Sequence, residues 1–248
     1  MSGSAMSFWV IVPAAGSSRR MADAGVPKQY LHLAGRSVIE WSLAPFLAQP
    51  ECAGIVVVLA AQDSHWQALD AARHPLIQTV TGGPQRADSV RCGLLALQGR
   101  AGQDDWVLVH DAARPCLRTS ELGALLNHLR GDAVGGLLAT PVVETLKRSD
   151  GLDRVAQTVD RNGLWRALTP QMFRYGALTR ALAAAADRGI SVTDEAQAIE
   201  LLGLRPRLVP GSVDNIKITV TEDLARAERI LATIDKQTGD RQKGDEKP

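Results

Sequence analysis

Short, largely apolar runs punctuate the first 140 positions: Phe8–Pro13 (FWVIVP), Gly54–Ala60 (GIVVVLA), Ile77–Thr81, Trp106–His110 (WVLVH) and Ala133–Ala139. Continuous runs of this length, rather than strict apolar–polar alternation, mark strands buried on both faces, as in a parallel sheet covered by helices. Helical patterns lie between them at Ser37–Leu47, Asp63–Ala72, Arg86–Leu97 and Thr119–Leu129. Asp63 and Thr119 are suited to cap two of these, and Pro45 is expected to end or kink the first. Strand and helix alternate through short connections, so right-handed βαβ units and an α/β fold follow.

The alternation lapses after Thr140. Val143–Arg148 and Val155–Arg161 flank a polar turn at Ser149–Asp153, which predicts a hairpin arm, about residues 141–166, leaving the main body. Helices resume at Tyr175–Arg188 and Thr193–Leu202. A strand pair, Arg207–Val209 and Asn215–Thr219, is expected before a last helix from Glu222 to Ile234. One domain, residues 7–235, accounts for the pattern. Residues 1–6 and the polar tail 236–248 carry no apolar period and are expected to be disordered.

Charge and cysteine content narrow the function classes. With 28 Lys+Arg against 27 Asp+Glu, the chain has no basic footprint, so nucleic acid is not an expected partner. No apolar run approaches the roughly 20 residues that span a bilayer. Met1–Ala5 lacks the basic start of a signal peptide, so a soluble, cytoplasmic protein is expected, with no membrane association. Cys52, Cys92 and Cys116 are scattered without a CxxC, which indicates neither a disulfide framework nor a zinc cluster.

Ligands of open α/β sheets bind beyond the carboxyl ends of the strands. The first strand runs into Ala14-Ala15-Gly16-Ser17-Ser18-Arg19-Arg20, with Lys28 shortly after. Small residues let backbone N–H groups close on an anion, and the cations reinforce them. The spacing is neither a dinucleotide fingerprint nor a P-loop. The third strand ends in Gly82-Gly83, ahead of a helix opening with Arg86-Ala87-Asp88-Ser89, where Asp88 or Ser89 could simply cap. The fourth ends in His110-Asp111-Ala112-Ala113-Arg114, where Asp111 could bind substrate or merely pair with Arg114. His110 reads as a packed neighbour, because no second His or Cys stands at ligand spacing. Asp160-Arg161-Asn162, Leu168-Thr169-Pro170-Gln171, Thr193-Asp194-Glu195-Ala196 and Lys217 among apolar neighbours are each weak signals alone.

Together these motifs, in order from about Phe8 to Ile234, closely resemble the 2-C-methyl-D-erythritol 4-phosphate cytidylyltransferase family. The resemblance implies a Rossmann-like nucleotidyltransferase fold with a mostly parallel sheet flanked by helices. It also implies a homodimer formed through the β-arm and a Mg²⁺-dependent reaction of CTP with methylerythritol 4-phosphate; it assigns no metal ligands. Ala14, Ala15, Gly16, Gly82, Gly83, Ser89 and Ala112 would take the nucleotide. Arg20, Lys28 and Lys217 would be catalytic, binding the triphosphate. Asp111, Arg114 and Thr169 would hold the acceptor, with Thr145 and Arg161 reaching into a partner's site. Ser18 and Pro84 depart from the family's usual glycine and acidic residue. The rivals are a cytidylyltransferase for another polyol phosphate such as ribitol 5-phosphate, a regulatory protein that binds nucleotide without turnover, and a dinucleotide-dependent oxidoreductase.

Overall fold

The computed structural model describes residues 6–16 and 26–244, with 235–244 described through their backbone alone. Strand β1 (Phe8–Pro13) leads through a 3-10 turn at Lys28–Tyr30 to a small hairpin, β2 (His32–Leu33) and β3 (Arg36–Ser37). Helix α1 (Val38–Leu47), β4 (Cys52–Leu59), β5 (Ile77–Thr81), α2 (Arg86–Ala96), β6 (Trp106–Val109), α3 (Thr119–Leu129) and β7 (Gly135–Pro141) follow. The arm is β8 (Leu146–Ser149) and β9 (Val155–Val159). Next come β10 (Trp165–Arg174), α4 (Tyr175–Asp187), α5 (Glu195–Glu200), β11 (Arg207–Pro210) and α6 (Glu222–Gly244).

The main sheet has the order β11-β7-β10-β6-β1-β4-β5. Every strand but β10 runs in one direction; β10 pairs antiparallel with both β6 and β7. Side-chain alternation explains the continuous apolar runs. Phe8, Val10 and Val12 of β1 enter a core with α1 and α3, while Trp9 and Ile11 enter the opposite core with α2 and α4. Each fully buried aliphatic or Phe side chain contributes about 1.5–3 kcal/mol relative to exposure, so both layers are needed. A third cluster seats α6 through Ala227 and Leu231 against Leu33, Val38 and Ile218. That contact lays the segment around Ile218 along the sheet's carboxyl edge.

Several expected elements differ. Helix α1 is capped by the Ser37 hydroxyl, which accepts the Glu40 N–H at 3.4 Å, and it continues past Pro45 to Leu47. Pro45 lies in the last turn, where the one missing backbone donor breaks little. The predicted helix 63–72 is instead two 3-10 turns, Trp66–Ala68 and Asp70–Arg73, separated by an extended Leu69. Asp63 Oδ1 accepts the N–H groups of His65 and Trp66, a local turn that competes with an α-helix. Thr119 is the first residue of α3, and the cap position is Arg118.

Strand β11 pairs parallel with β7, not with 215–219. The latter is a loop segment whose Ile218 N–H reaches Ala113 O at 2.8 Å; its neighbour is a loop that offers no ladder. Strand β10 itself was not expected, because Pro170 interrupts its pattern. Helix α6 runs past Ile234 into the tail expected to be disordered, since good helix formers such as Lys and Gln sustain a helix without an apolar face. Residues 1–5, 17–25 and 245–248 lie outside the described residues, and Ser18 and Arg20 among them.

Candidate active site

A cleft of about 190 Å³ opens beyond the carboxyl ends of β1, β5 and β6. Ala14, Ala15, Gly16, Lys28, Gly83, Ser89, Asp111, Ala112 and Lys217 line it, so the chain brings most of the sequence-predicted site together.

The nucleotide-like half is backbone-rich. Ala14 N–H donates to Val58 O at 2.7 Å, and Ala14 O accepts from Gln29 Nε2 at 2.8 Å, which fixes the loop leaving β1. Gly82 has to be small: a Cβ there would stand 2.6 Å from Ser89 Oγ and 2.9 Å from Ala15 Cβ. Asp88 accepts the Gln85 N–H at 3.3 Å, so the capping role holds for that residue. Lys28 sits in a 3-10 turn anchored on both flanks. Its ammonium donates to Ile218 O at 2.8 Å, and Tyr30 donates to Asp63 Oδ2 at 2.5 Å.

Asp111 is the centre of charge. Its Oδ1 meets Arg86 Nε at 3.0 Å, while Oδ2 meets Lys217 Nζ at 2.9 Å and Arg114 Nε at 3.3 Å. Burial alone would raise the carboxyl's pKa; Arg86, Lys217 and Arg114 overcome it and hold it far below the ordinary range. Counting Glu195, which pairs with the far edge of Arg86, three cations face two anions, and Lys28 on the cleft wall adds a further cation, so the cleft is net positive, which suits polyanionic ligands.

Behind Asp111 lies a buried relay of hydrogen bonds. Thr169 Oγ1 accepts the Asp111 N–H at 3.1 Å and lies 2.9 Å from His110 Nδ1, while His110 Nε2 lies 3.1 Å from Arg114 O. Those partners assign the tautomer: the Thr169 hydroxyl donates to Nδ1, and Nε2–H donates to the carbonyl. Burial pushes the His110 pKa down to about 4, so the ring is neutral and both nitrogens are engaged. It is a packed neighbour, not a proton carrier. Thr169 lies where the β10–β7 register breaks, between Ala167 and Gln171. Asn215 ties the relay to the Lys217 segment: its Nδ2 donates to Thr169 O, and its backbone O accepts from Arg114, each at 2.8 Å.

Thr145 and Arg161 do not line this cleft. Both are exposed on the arm, and the Arg161 guanidinium donates to Val143 O of the same arm. Arg20 lies outside the described residues.

Sequence reasoning missed Arg86 and Glu195. Glu195 receives Arg86 Nη1 and Nη2 at 2.7 and 3.1 Å. A signal for Arg86 existed: a cation in a helix's first turn opposes the helix dipole, so another partner has to hold it. Glu195 stood only within the weak Thr193-Asp194-Glu195-Ala196 signal, because acids are ordinary in a helix's first turn.

Comparisons with known proteins converge on one family. The family model described as 2-C-methyl-D-erythritol 4-phosphate cytidylyltransferase matches residues 8–233. A protein of that name from Ectopseudomonas mendocina is 53% identical over 231 residues, 93% of this chain and 98% of the relative. A solved 4-diphosphocytidyl-2C-methyl-D-erythritol synthase superposes with a TM-score of 0.80 at 37% identity, covering 92% of this chain and 100% of the other. The 2-C-methyl-D-erythritol 4-phosphate cytidylyltransferase of Francisella tularensis gives 0.79 at 33% identity, covering 90% and 99%.

Proposed function

The chain belongs to the 2-C-methyl-D-erythritol 4-phosphate cytidylyltransferase family, and from that premise we propose a division of labour across the cleft. The activity is transfer of a cytidylyl group from CTP to 2-C-methyl-D-erythritol 4-phosphate, with release of pyrophosphate, in isoprenoid biosynthesis. The relatives do not favour ribitol 5-phosphate as acceptor. In the proposal, Ala14, Ala15, Gly16, Gly82, Gly83, Ser89 and Ala112 take the nucleotide. Arg20, Lys28 and Lys217 hold the triphosphate and stabilise the transition state. Asp111 and Arg114 hold the acceptor, with Thr169, buried behind them and outside the cleft lining, acting through its hydrogen bond to Asp111. The observation that carries this division is the Asp111 carboxylate, which faces Lys217 and Arg114 through one oxygen and so sets the two halves side by side.

The chemistry asks for charge and placement rather than a base. A phosphate monoester has a second pKa of about 6, so the acceptor arrives mostly as a dianion at neutral pH. Its oxygen attacks the α-phosphorus in line, the bond to the bridging oxygen breaks, and pyrophosphate leaves with the electron pair. The obstacle is repulsion between two polyanions. Lys28 and Lys217 offset it where charge accumulates, and the neutral His110 stays out of proton traffic.

Mg²⁺ enters this proposal as the companion of CTP, where it lowers the charge the acceptor has to approach. Among the described residues no group of three His, Cys, Asp or Glu could cage an ion, and Asp111, which lines the cleft, has both oxygens paired. Such a donor set suits an ion carried by triphosphate oxygens and water, the usual habit of Mg²⁺ at nucleotide sites. Exposed apolar surface on the arm at Val143, Leu152, Val155 and Trp165 supports a homodimer, and the proposal has the exposed Thr145 and Arg161 reach a partner's acceptor site. A cytoplasmic location is proposed with it; no helix among the described residues is long and apolar enough to cross a membrane.

The test is pyrophosphate release from Mg–CTP with methylerythritol 4-phosphate and ribitol 5-phosphate as parallel acceptors. Release with the first alone is expected. Release with the second alone would overturn the acceptor, and CTP binding without release would overturn catalysis.

A further inference from the structure

Glu195 is the most deeply buried carboxylate among the described residues, at 1% exposure, and it does not line the cleft. A buried carboxylate is costly unless fully paired. Here both oxygens are spent on one guanidinium, Arg86 Nη1 at 2.7 Å and Nη2 at 3.1 Å. The remaining edge of that guanidinium presents Nε to Asp111 Oδ1 at 3.0 Å. A planar, rigid group held on one edge has its other edge aimed. Glu195 is itself held in place. Asp194 beside it caps α5 by accepting the Gln197 N–H at 2.9 Å. Gln171 of β10 grips the same turn, donating to Asp194 Oδ2 at 2.9 Å and accepting the Ala196 N–H at 2.8 Å.

We propose that Glu195 is a positioning residue for the acceptor half of the site: acting through Arg86, it fixes Asp111 so that Oδ1 is occupied and Oδ2 faces Arg114 and Lys217. Without the Glu195 charge, Arg86 has one anion left and turns its freed Nη donors toward Asp111 as well. It then competes with Lys217 and Arg114 for Oδ2. The carboxylate rotates, and the acceptor loses the contact assigned to Asp111 while the backbone contacts at Ala14–Gly16 stay as they are. The inference rests on the assignment of Asp111 to the acceptor.

The experiment compares Glu195→Gln, Arg86→Gln, the double variant and Asp111→Asn for acceptor KM, kcat and the CTP dissociation constant. Gln keeps the shape of Glu195 and removes its charge. Glu195→Gln is expected to raise the acceptor KM about tenfold, the scale of one lost charged hydrogen bond, with CTP binding within about twofold. The double variant is expected to be no worse than Arg86→Gln alone, because the two residues act in series. It also removes both buried charges, so it remains readable if a single variant folds poorly. Unchanged acceptor KM in Glu195→Gln, with only a lower melting temperature, would overturn the inference. So would equal losses for both substrates, or losses that multiply in the double variant. If Asp111→Asn also leaves acceptor KM unchanged, the acceptor assignment has failed; if Asp111→Asn alone raises it, only the Glu195 inference has.

Discussion

Lys217 Nζ lies 2.9 Å from Asp111 Oδ2, the same oxygen that meets Arg114 Nε at 3.3 Å. A cation assigned to the triphosphate and a cation assigned to the acceptor therefore share one carboxylate oxygen. Their ligands have to meet beside it. The pairing also keeps a lysine on a loop segment, rather than a strand, in a fixed place before any substrate binds.

Removing one of the proposed transition-state cations should act on turnover. Lys28→Ala, Lys217→Ala and Arg20→Ala are each expected to lower kcat by a factor on the order of 10²–10³, measured with both substrates saturating. A near-wild-type kcat in any of them would remove that residue from the catalytic set.

The sequence was most legible where packing follows local pattern. Ile77–Thr81 and Thr119–Leu129 match their observed bounds, and in the second the apolar periodicity reports the buried face, Leu122, Leu125, Leu126 and Leu129. Strand β10 was hidden because Pro170 and Gln171 interrupt its apolar run, and Pro170 lies in the register break between Ala167 and Gln171 that also holds Thr169, the residue bonded to Asp111. The strand expected at Asn215–Thr219 did not form, yet the segment still buries Ile218 and puts Lys217 on the cleft. The Arg86–Glu195 pair spans 109 positions, and nothing local in the sequence joins them.

Burial of His110 gives a pH prediction. Its pKa falls from the ordinary 6.5 to about 4 in the folded chain. Between those values the unfolded chain holds the proton more tightly, so stability declines as the pH falls through that window and is complete above it. Urea unfolding at pH 7.5 and pH 5 should show wild type losing more stability than His110→Asn. Equal losses would place the titration elsewhere.

The arm is expected to serve the acceptor. Arg161→Ala should raise the methylerythritol phosphate KM about tenfold or more, the cost of one charged contact, and leave CTP binding nearly unchanged. Sedimentation at matched concentrations would establish that the variant keeps the wild-type assembly state. Equal loss toward both substrates would mean that the arm serves assembly alone.

The most direct test of the whole arrangement is Asp111→Asn, which keeps the shape and removes the charge that the three cations share. The expected result is an acceptor KM raised about 10- to 100-fold, the range for losing hydrogen bonds to a charged group, with the CTP dissociation constant within about threefold of wild type. A CTP affinity that falls as far as acceptor affinity would contradict the division of the cleft at Asp111.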